Sequence, residues 1–206
     1  LHALVNEALV RGVLIDDAAR IRTSILAAFE RAETTDDPRL QKQLLSFVII
    51  GAGPTGVELA GAITEIVKEG LGDFRHIDPA LVEVALIEAG PGVLAGFTEK
   101  IRLYTHETLL KRGVTVRLNE AVVSVERGGV HLKDEFVPAS TVIWCAGVKA
   151  TPAGRWLRAK TERNGAVLVE PDLSLPSYPE VFVAGDAAAV RGKNGYLPAL
   201  AAVAKQ

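Results

Sequence analysis

At 206 residues the chain is long enough for one large or two small domains. Its formal charge of −2 with no basic block excludes a nucleic-acid footprint, and its apolar runs fall far short of the roughly 20 residues of a membrane-spanning helix. The single cysteine, Cys145, excludes an internal disulfide and fits a reducing compartment. The chain has no methionine and opens on Leu1, and 198–206 stop inside a helical pattern without a cap. Both features lead to the expectation of a piece of a longer protein.

Residues 1–15 are apolar and irregular, broken at Gly12, and carry no readable role. Asp16 or Asp17 is the expected N-cap of a helix over 18–32, with Ile21, Ile25, Leu26 and Phe29 on one face. Thr34-Thr-Asp-Asp-Pro38 breaks it, and 39–45 form a short second helix. This opening segment reads as packing that leads into a sheet.

The chain is organised around Phe47-Val-Ile-Ile-Gly51-Ala-Gly53-Pro-Thr-Gly56-Val-Glu58-Leu-Ala-Gly61. An unbroken apolar run reads as a buried parallel strand over 47–50. A glycine-rich turn follows, then a helix over 54–69 with Leu59, Ala60, Ile63, Ile66 and Val67 as its apolar stripe. That order suits a pyrophosphate: glycines let the backbone approach the phosphates, and free N–H groups at the helix start bind the charge. Pro54 suits the first turn because its missing N–H is not needed there.

Residues 82–88 read as the next strand, 99–111 as a helix stopped by Gly113, and 114–117 as a third strand, completing a βαβαβ unit. Three short runs, 121–126, 129–132 and 135–137, read as an antiparallel meander with Gly128-Gly129 as a hairpin turn. Residues 141–145 return to the sheet and end on Ala146-Gly147. Beyond Thr151-Pro152, strands are expected at 165–169 and 181–184, joined by an irregular connection over 171–176. The fold class is therefore α/β: a Rossmann-like dinucleotide domain with a parallel sheet and a small meander, flanked by segments of a second, incomplete domain.

A phosphate loop calls for an acidic residue at the end of the following strand, to hold the ribose hydroxyls. Glu88 ends that strand, 32 residues past Gly56 where about 20 is usual. A carboxylate there repels a 2′-phosphate, and Ala89-Gly90-Pro91-Gly92 supplies no cation to attract one, so NADH is favoured over NADPH. A glutamate at a strand end is also often merely solvated. Glu58 shares its helix face with Ala62, Glu65 and Glu69, ordinarily a solvated face, yet it lies close to the path of the dinucleotide. His2, His76, His106 and His131 lack metal-ligand spacing, so no metal is expected. Cys145, Trp144 and Trp156 read as packing residues.

Gly51-Ala-Gly-Pro-Thr-Gly-Val-Glu-Leu-Ala-Gly61, Leu86-Ile-Glu-Ala-Gly-Pro91, Trp144-Cys-Ala-Gly-Val-Lys149 and Val181-Phe-Val-Ala-Gly-Asp-Ala-Ala188 occur in that order. The combination resembles the flavoproteins with two dinucleotide-binding domains, and most closely the type II NADH dehydrogenases, FAD-dependent NADH:quinone oxidoreductases. The resemblance implies that Gly51, Gly53, Pro54, Thr55 and Gly56 hold the NADH pyrophosphate, Glu88 the adenosine ribose, and Glu58 a catalytic place beside the nicotinamide. It implies that Gly147 lets the nicotinamide approach. Gly185 and Asp186 would bind FAD, with Ala187 and Ala188 starting a helix that faces the cofactor, and Gln206 would lie on the quinone side. It further implies 1–45 as a helical linker, 46–150 as the NAD(H) domain and 151–206 as part of the FAD domain.

Two departures stand out. No FAD-binding glycine loop precedes residue 51, and the C-terminal membrane-anchoring part of the family is absent. Gly92 also stands where the family often has Arg. The chain alone is thus expected to be inactive and to hold FAD only in part. The intact protein would be a respiratory-chain enzyme on the cytoplasmic face of a membrane, touching it only through the missing parts, with a homodimer compatible. Ferredoxin-type reductases are the alternative within the class. Sulfide:quinone oxidoreductases and disulfide reductases need a second redox cysteine. A non-catalytic NADH-sensing module has no use for Gly185-Asp186.

Overall fold

The structure, a computed structural model, describes residues 15–70, 74–147, 149–192 and 195–197. They fall into two units, divided between Ala146 and Gly147.

The first unit opens with α1 (Ile15–Glu33), so Asp16 and Asp17 stand inside the helix rather than at its N-cap. Ile25, Ala28, Phe29 and Ala32 are its buried stripe, while Leu26, expected in that stripe, is exposed. The alanines take its place because they let the helix lie close to the sheet. α2 (Pro38–Leu44) is capped by Asp37, whose carboxylate accepts the Arg39 N–H at 2.9 Å, with Pro38 in the first turn.

β1 (Ser46–Ile50) is buried along its whole length. It pairs in parallel with β2 (Glu83–Glu88) on one side and β7 (Thr141–Trp144) on the other, and β3 (Val114–Leu118) lies outside β2. Successive strand residues face opposite sides. Phe47 and Ile49 pack with Val84, Leu86 and Val114 against α1, α3 (Pro54–Gly70) and α4 (Glu99–Lys111). Val48 and Ile50 pack with Ala85, Ile87 and Val142 under the antiparallel strands β4 (Ser124–Glu126), β5 (Gly129–His131) and β6 (Phe136–Pro138). Each fully buried Phe, Ile, Leu or Val contributes about 1.5–3 kcal/mol relative to exposure. With both faces covered, β1 can be apolar from Phe47 to Ile50.

The hairpin turn is Arg127-Gly128, not Gly128-Gly129. Gly128 takes the left-handed conformation at φ +100, while Gly129 already pairs with Glu126. The meander stands where a crossover helix would join β3 to β7. The chain leaves β1 toward β2 and later returns on the far side as β7, so the topological switch lies between β1 and β7, at their C-terminal ends.

The second unit contains α5 (Ala153–Leu157), β8 (Val167–Leu168), β9 (Ser174–Leu175), β10 (Tyr178–Phe182), β11 (Ala188–Ala189), β12 (Arg191–Gly192) and β13 (Gly195–Tyr196). β8 pairs with β11, β9 with β10 and β12 with β13, around a small core of Val167, Leu175 and Val183. Here the sequence expectations need correction. The strand expected over 181–184 runs earlier, because β10 folds back antiparallel on β9. Trp156, read as a packing residue, is 72% exposed.

Candidate functional site

At the C-terminal edge of the parallel sheet, the glycine loop, the start of α3 and the chain just past β7 approach closely. β1 ends at Ile50, and Gly51 turns at φ +100. A Cβ on Gly51 would stand 2.7 Å from the Ala146 backbone and 2.8 Å from that of Cys145, just past β7. Only glycine permits both that conformation and that approach. Gly56 is closed in from the other side, since its Cβ would run into the Gly51 carbonyl oxygen. The first turn of α3 therefore presses directly on the loop. Gly53 differs: nothing lies within 4 Å of the position its Cβ would take.

Both neighbouring strands hold the loop. Gly51 N–H donates to Ile87 O at 2.8 Å, Leu94 N–H to Ala52 O at 2.8 Å, and Cys145 N–H to Ile50 O at 2.7 Å. The hydrogen bond from Val57 N–H to Gly53 O, at 3.0 Å, opens the ladder of α3. The N–H groups of Thr55 and Gly56 precede that ladder, and Pro54 has none. With the open side at Gly53, the helix start can accommodate an anion such as a diphosphate, favoured by the positive end of the helix dipole.

Glu88 ends β2 beside this helix start, with its carboxylate turned inward. Oε2 accepts the Ala52 N–H at 2.7 Å and Oε1 accepts the Gly90 N–H at 2.8 Å. One side chain thus ties the glycine loop to the loop after β2. Each oxygen keeps a second lone pair, available to a hydroxyl donor. The loop after β2 is also fixed to the end of β3, by Asn119 N–H to Gly90 O at 3.0 Å and Glu120 N–H to Glu88 O at 3.1 Å.

Arg102 joins this group unannounced by the sequence. Residues 89–92 contain no cation, but the first turns of α4 bring one to them. Arg102 Nε donates to Val93 O at 3.2 Å, and its Nη2 occupies the space that a side chain on Gly92 would need. The signal lies ten residues downstream, in a helix that starts close to the loop.

Glu58, one turn beyond Pro54, is exposed and has no hydrogen bond or ion pair to the described residues. It lines a shallow groove between α3 and α4 with Ala62, Glu65, Thr105 and Arg112, and Glu65 and Arg112 pair at 2.6 Å. Cys145 packs partly against the core, and burial pushes its thiol pKa up to about 11, so it stays protonated near neutrality.

The remaining expected residues belong to the second unit. Gly147 has φ +122, with open space on its Cβ side. Gly185 has φ +65 and is likewise open. Asp186 is exposed and has no hydrogen bond or ion pair to the described residues, so its oxygens can accept hydroxyl donors. The helix expected to start at Ala187 and Ala188 is not formed. Gly185–Ala187 make one 3₁₀ turn, and Ala188 is drawn into extended pairing with Val167. Gln206 lies outside the described residues, as does His2. Among the described residues, no three His, Cys, Asp or Glu side chains gather as metal ligands, and no helix is long and apolar enough to cross a membrane.

Comparisons with known proteins agree on one family. The profile of the pyridine nucleotide-disulphide oxidoreductases matches residues 15–206. The type II NADH:quinone oxidoreductase Ndh of Mycobacterium tuberculosis is 44% identical over 191 residues, covering 88% of this chain and 41% of that one. NdhA of the same organism is 40% identical over 192 residues, with the same coverage of 88% and 41%. The chain thus spans about two fifths of the length of these relatives. The structure of NDH2 from Plasmodium falciparum in complex with NADH shares the fold, with a TM-score of 0.74 at 24% identity over 87% of this chain and 39% of that one. From a glycine turn set on a parallel sheet, through the late Gly185-Asp186 turn, to a profile match over 192 consecutive positions, the chain belongs to the pyridine nucleotide-disulphide oxidoreductase family.

Proposed function

We propose that the chain is the NADH-binding portion, with part of the flavin-binding portion, of a flavin-dependent NADH:quinone oxidoreductase. One observation carries the reading: the Glu88 carboxylate clamps the open glycine loop beside the start of α3, at the switch point of the sheet. This arrangement has the two features a dinucleotide needs, a cradle for its diphosphate and an acceptor for its ribose hydroxyls. The M. tuberculosis relatives, named as NADH:quinone oxidoreductases, support the choice of NADH and quinone.

In this reading Gly51, Gly53 and Gly56 admit the pyrophosphate, which Thr55 and Gly56 N–H groups bind at the helix start. Pro54 fixes that start. Glu88 accepts the adenosine ribose hydroxyls, Gly147 leaves room at the nicotinamide end, and Glu58 stands near the nicotinamide. Asp186, on the turn that Gly185 opens, accepts hydroxyls of the flavin side chain, with Ala187 and Ala188 lining the same turn. The flavin, when bound, supplies the redox chemistry, taking a hydride from NADH and passing electrons to quinone. The protein positions and shields the reactants; no side chain need act as nucleophile. We further assign 46–150 to the NAD(H) domain, 151–206 to the FAD domain, and 1–45 to a helical lead-in. A quinone-side role for Gln206, peripheral membrane contact and a homodimer belong to the intact protein.

The test is titration of this chain with NADH and with FAD. Saturable NADH binding with weak FAD binding is the expected result. Tight stoichiometric FAD binding without any NADH binding would overturn the assignment.

A further inference from the structure

We propose that Arg102 sets the nucleotide preference of this site, by offering a positive charge to a 2′-phosphate and so moderating the preference for NADH over NADPH. The inference rests on the dinucleotide reading above and adds a residue and a ligand class to it.

Two observations carry it. First, Glu88 does not present a bare carboxylate: one oxygen takes the Ala52 N–H at 2.7 Å and the other the Gly90 N–H at 2.8 Å. Two donors spread its charge and hold it against the loop backbone, which lowers its power to repel a phosphate. Second, the Arg102 guanidinium lies over Gly92, in the loop that leads away from Glu88. Only its Nε is engaged, with Val93 O at 3.2 Å. Nη1 and Nη2 have no acceptor among the described residues, which leaves four N–H donors in a planar fork of the kind that binds phosphate oxygens in pairs.

Arg102 and Gly92 act as one device. Because Gly92 has no side chain, the guanidinium can lie directly on the loop; an added Cβ would meet its Nη2. The side chain is half-buried and tethered by Val93, so part of its ordering cost is already met in the protein. A ribose with a free 2′-hydroxyl needs only Glu88. A 2′-phosphate needs a cation within reach, and Arg102 is a cation that the fold brings to this loop.

The test compares the full-length protein with its Arg102→Ala and Arg102→Gln variants, using NADH, NADPH, 5′-AMP and 2′,5′-ADP. The readouts are equilibrium dissociation constants for the two adenosine phosphates and kcat/KM for the two dinucleotides. Both variants should weaken 2′,5′-ADP and NADPH about tenfold while changing 5′-AMP and NADH less than threefold. Arg102→Gln keeps the stem and a donor, so it covers the case in which alanine loosens the loop. Gly92→Ala should shift the ratio in the same direction by displacing the guanidinium. Equal losses for all four ligands would overturn the proposal, reducing Arg102 to a loop clamp or an adenine-stacking group. Unchanged ratios, or wild-type 2′,5′-ADP binding no tighter than in Arg102→Ala, would overturn it as well. If the wild type binds neither NADH nor 5′-AMP, the dinucleotide reading itself fails, a result distinct from a failure of Arg102.

Discussion

Glu88 Oε2 accepts a hydrogen bond from the Ala52 N–H at 2.7 Å, joining residues 36 apart in the chain. The link follows from β1 and β2 being neighbours in register, Ile50 opposite Ile87, so that the last residue of β2 meets the loop just past β1. The carboxylate thus braces the glycine loop, and in the proposed reading its free lone pairs face the ribose. Glu88→Gln keeps the shape but leaves a single acceptor oxygen, so one loop N–H loses its partner. The cost is about 1–3 kcal/mol, and NADH should bind roughly ten- to a hundredfold more weakly. Glu88→Arg should weaken NADH further, and its gain in NADPH should be small because the loop clamp goes with the charge. An unchanged KM for NADH in Glu88→Gln, with the protein folded, would show that Glu88 does not face the ribose.

The three loop glycines should separate folding from binding. Gly51→Ala meets the backbone of Ala146 and Cys145 while holding φ +100, and Gly56→Ala meets the Gly51 carbonyl. Strain and overpacking together should cost about 2–4 kcal/mol each, or roughly 5–15 °C in Tm. Gly53→Ala meets nothing. Its Tm should stay within about 2 °C in thermal melts, while NADH affinity drops at least about tenfold as the methyl group enters the diphosphate cradle. Full NADH affinity in Gly53→Ala would place the phosphates elsewhere.

Much of this site could be read from the sequence because its signals are local. The apolar run 47–50, the glycine spacing and Pro54 each act within a few residues of themselves, and they mark β1, the loop and α3. Glu88 was legible as a strand end, but its bond to Ala52 depends on which strands become neighbours. Arg102 was hidden for the same reason, its place being set by the packing of α4. The second unit was least legible. Its strands are two to five residues long, and apolar runs such as 181–184 do not show which partner they will take. Trp156, read as a packing residue by type, is 72% exposed, since this unit's own core is small.

The end of α1 supplies a pH-dependent clamp outside the site. Burial raises the Glu33 pKa, but the backbone N–H groups of Arg75 and His76 and the His76 ring more than offset this, leaving it below the ordinary value of 4.5. The bonds have ordinary lengths, 2.9 Å from Arg75 N and 3.0 Å from His76 N. A depressed carboxylate pKa stabilises the fold at pH values above the unfolded-state pKa, and that contribution is lost as pH falls through the folded-state value. Urea midpoints of wild type and Glu33→Gln should therefore differ from pH 7 down to about 5 and converge in more acid solution. A gap that stays constant to pH 3 would mean that the charge on Glu33 contributes nothing.

Glu58 offers the sharpest test of the proposed chemistry, because no other described residue bonds to its side chain. It is exposed, has no partner among the described residues and lies one turn from the start of α3, so Glu58→Gln should leave Tm unchanged. When hydride leaves NADH, the nicotinamide ring gains positive charge, and a carboxylate nearby stabilises that charge more in the transition state than in the ground state. Removing the charge should lower kcat of the full-length enzyme, by about tenfold for a loss near 1.4 kcal/mol, with little change in NADH affinity. Glu65→Gln is the matched control on the same helix face. It breaks the exposed pair with Arg112 at 2.6 Å, worth little to stability, and should leave turnover alone. If both variants turn over like wild type, Glu58 is simply part of the solvated face it shares with Ala62 and Glu65. If only Glu58→Gln slows, the carboxylate acts on the nicotinamide.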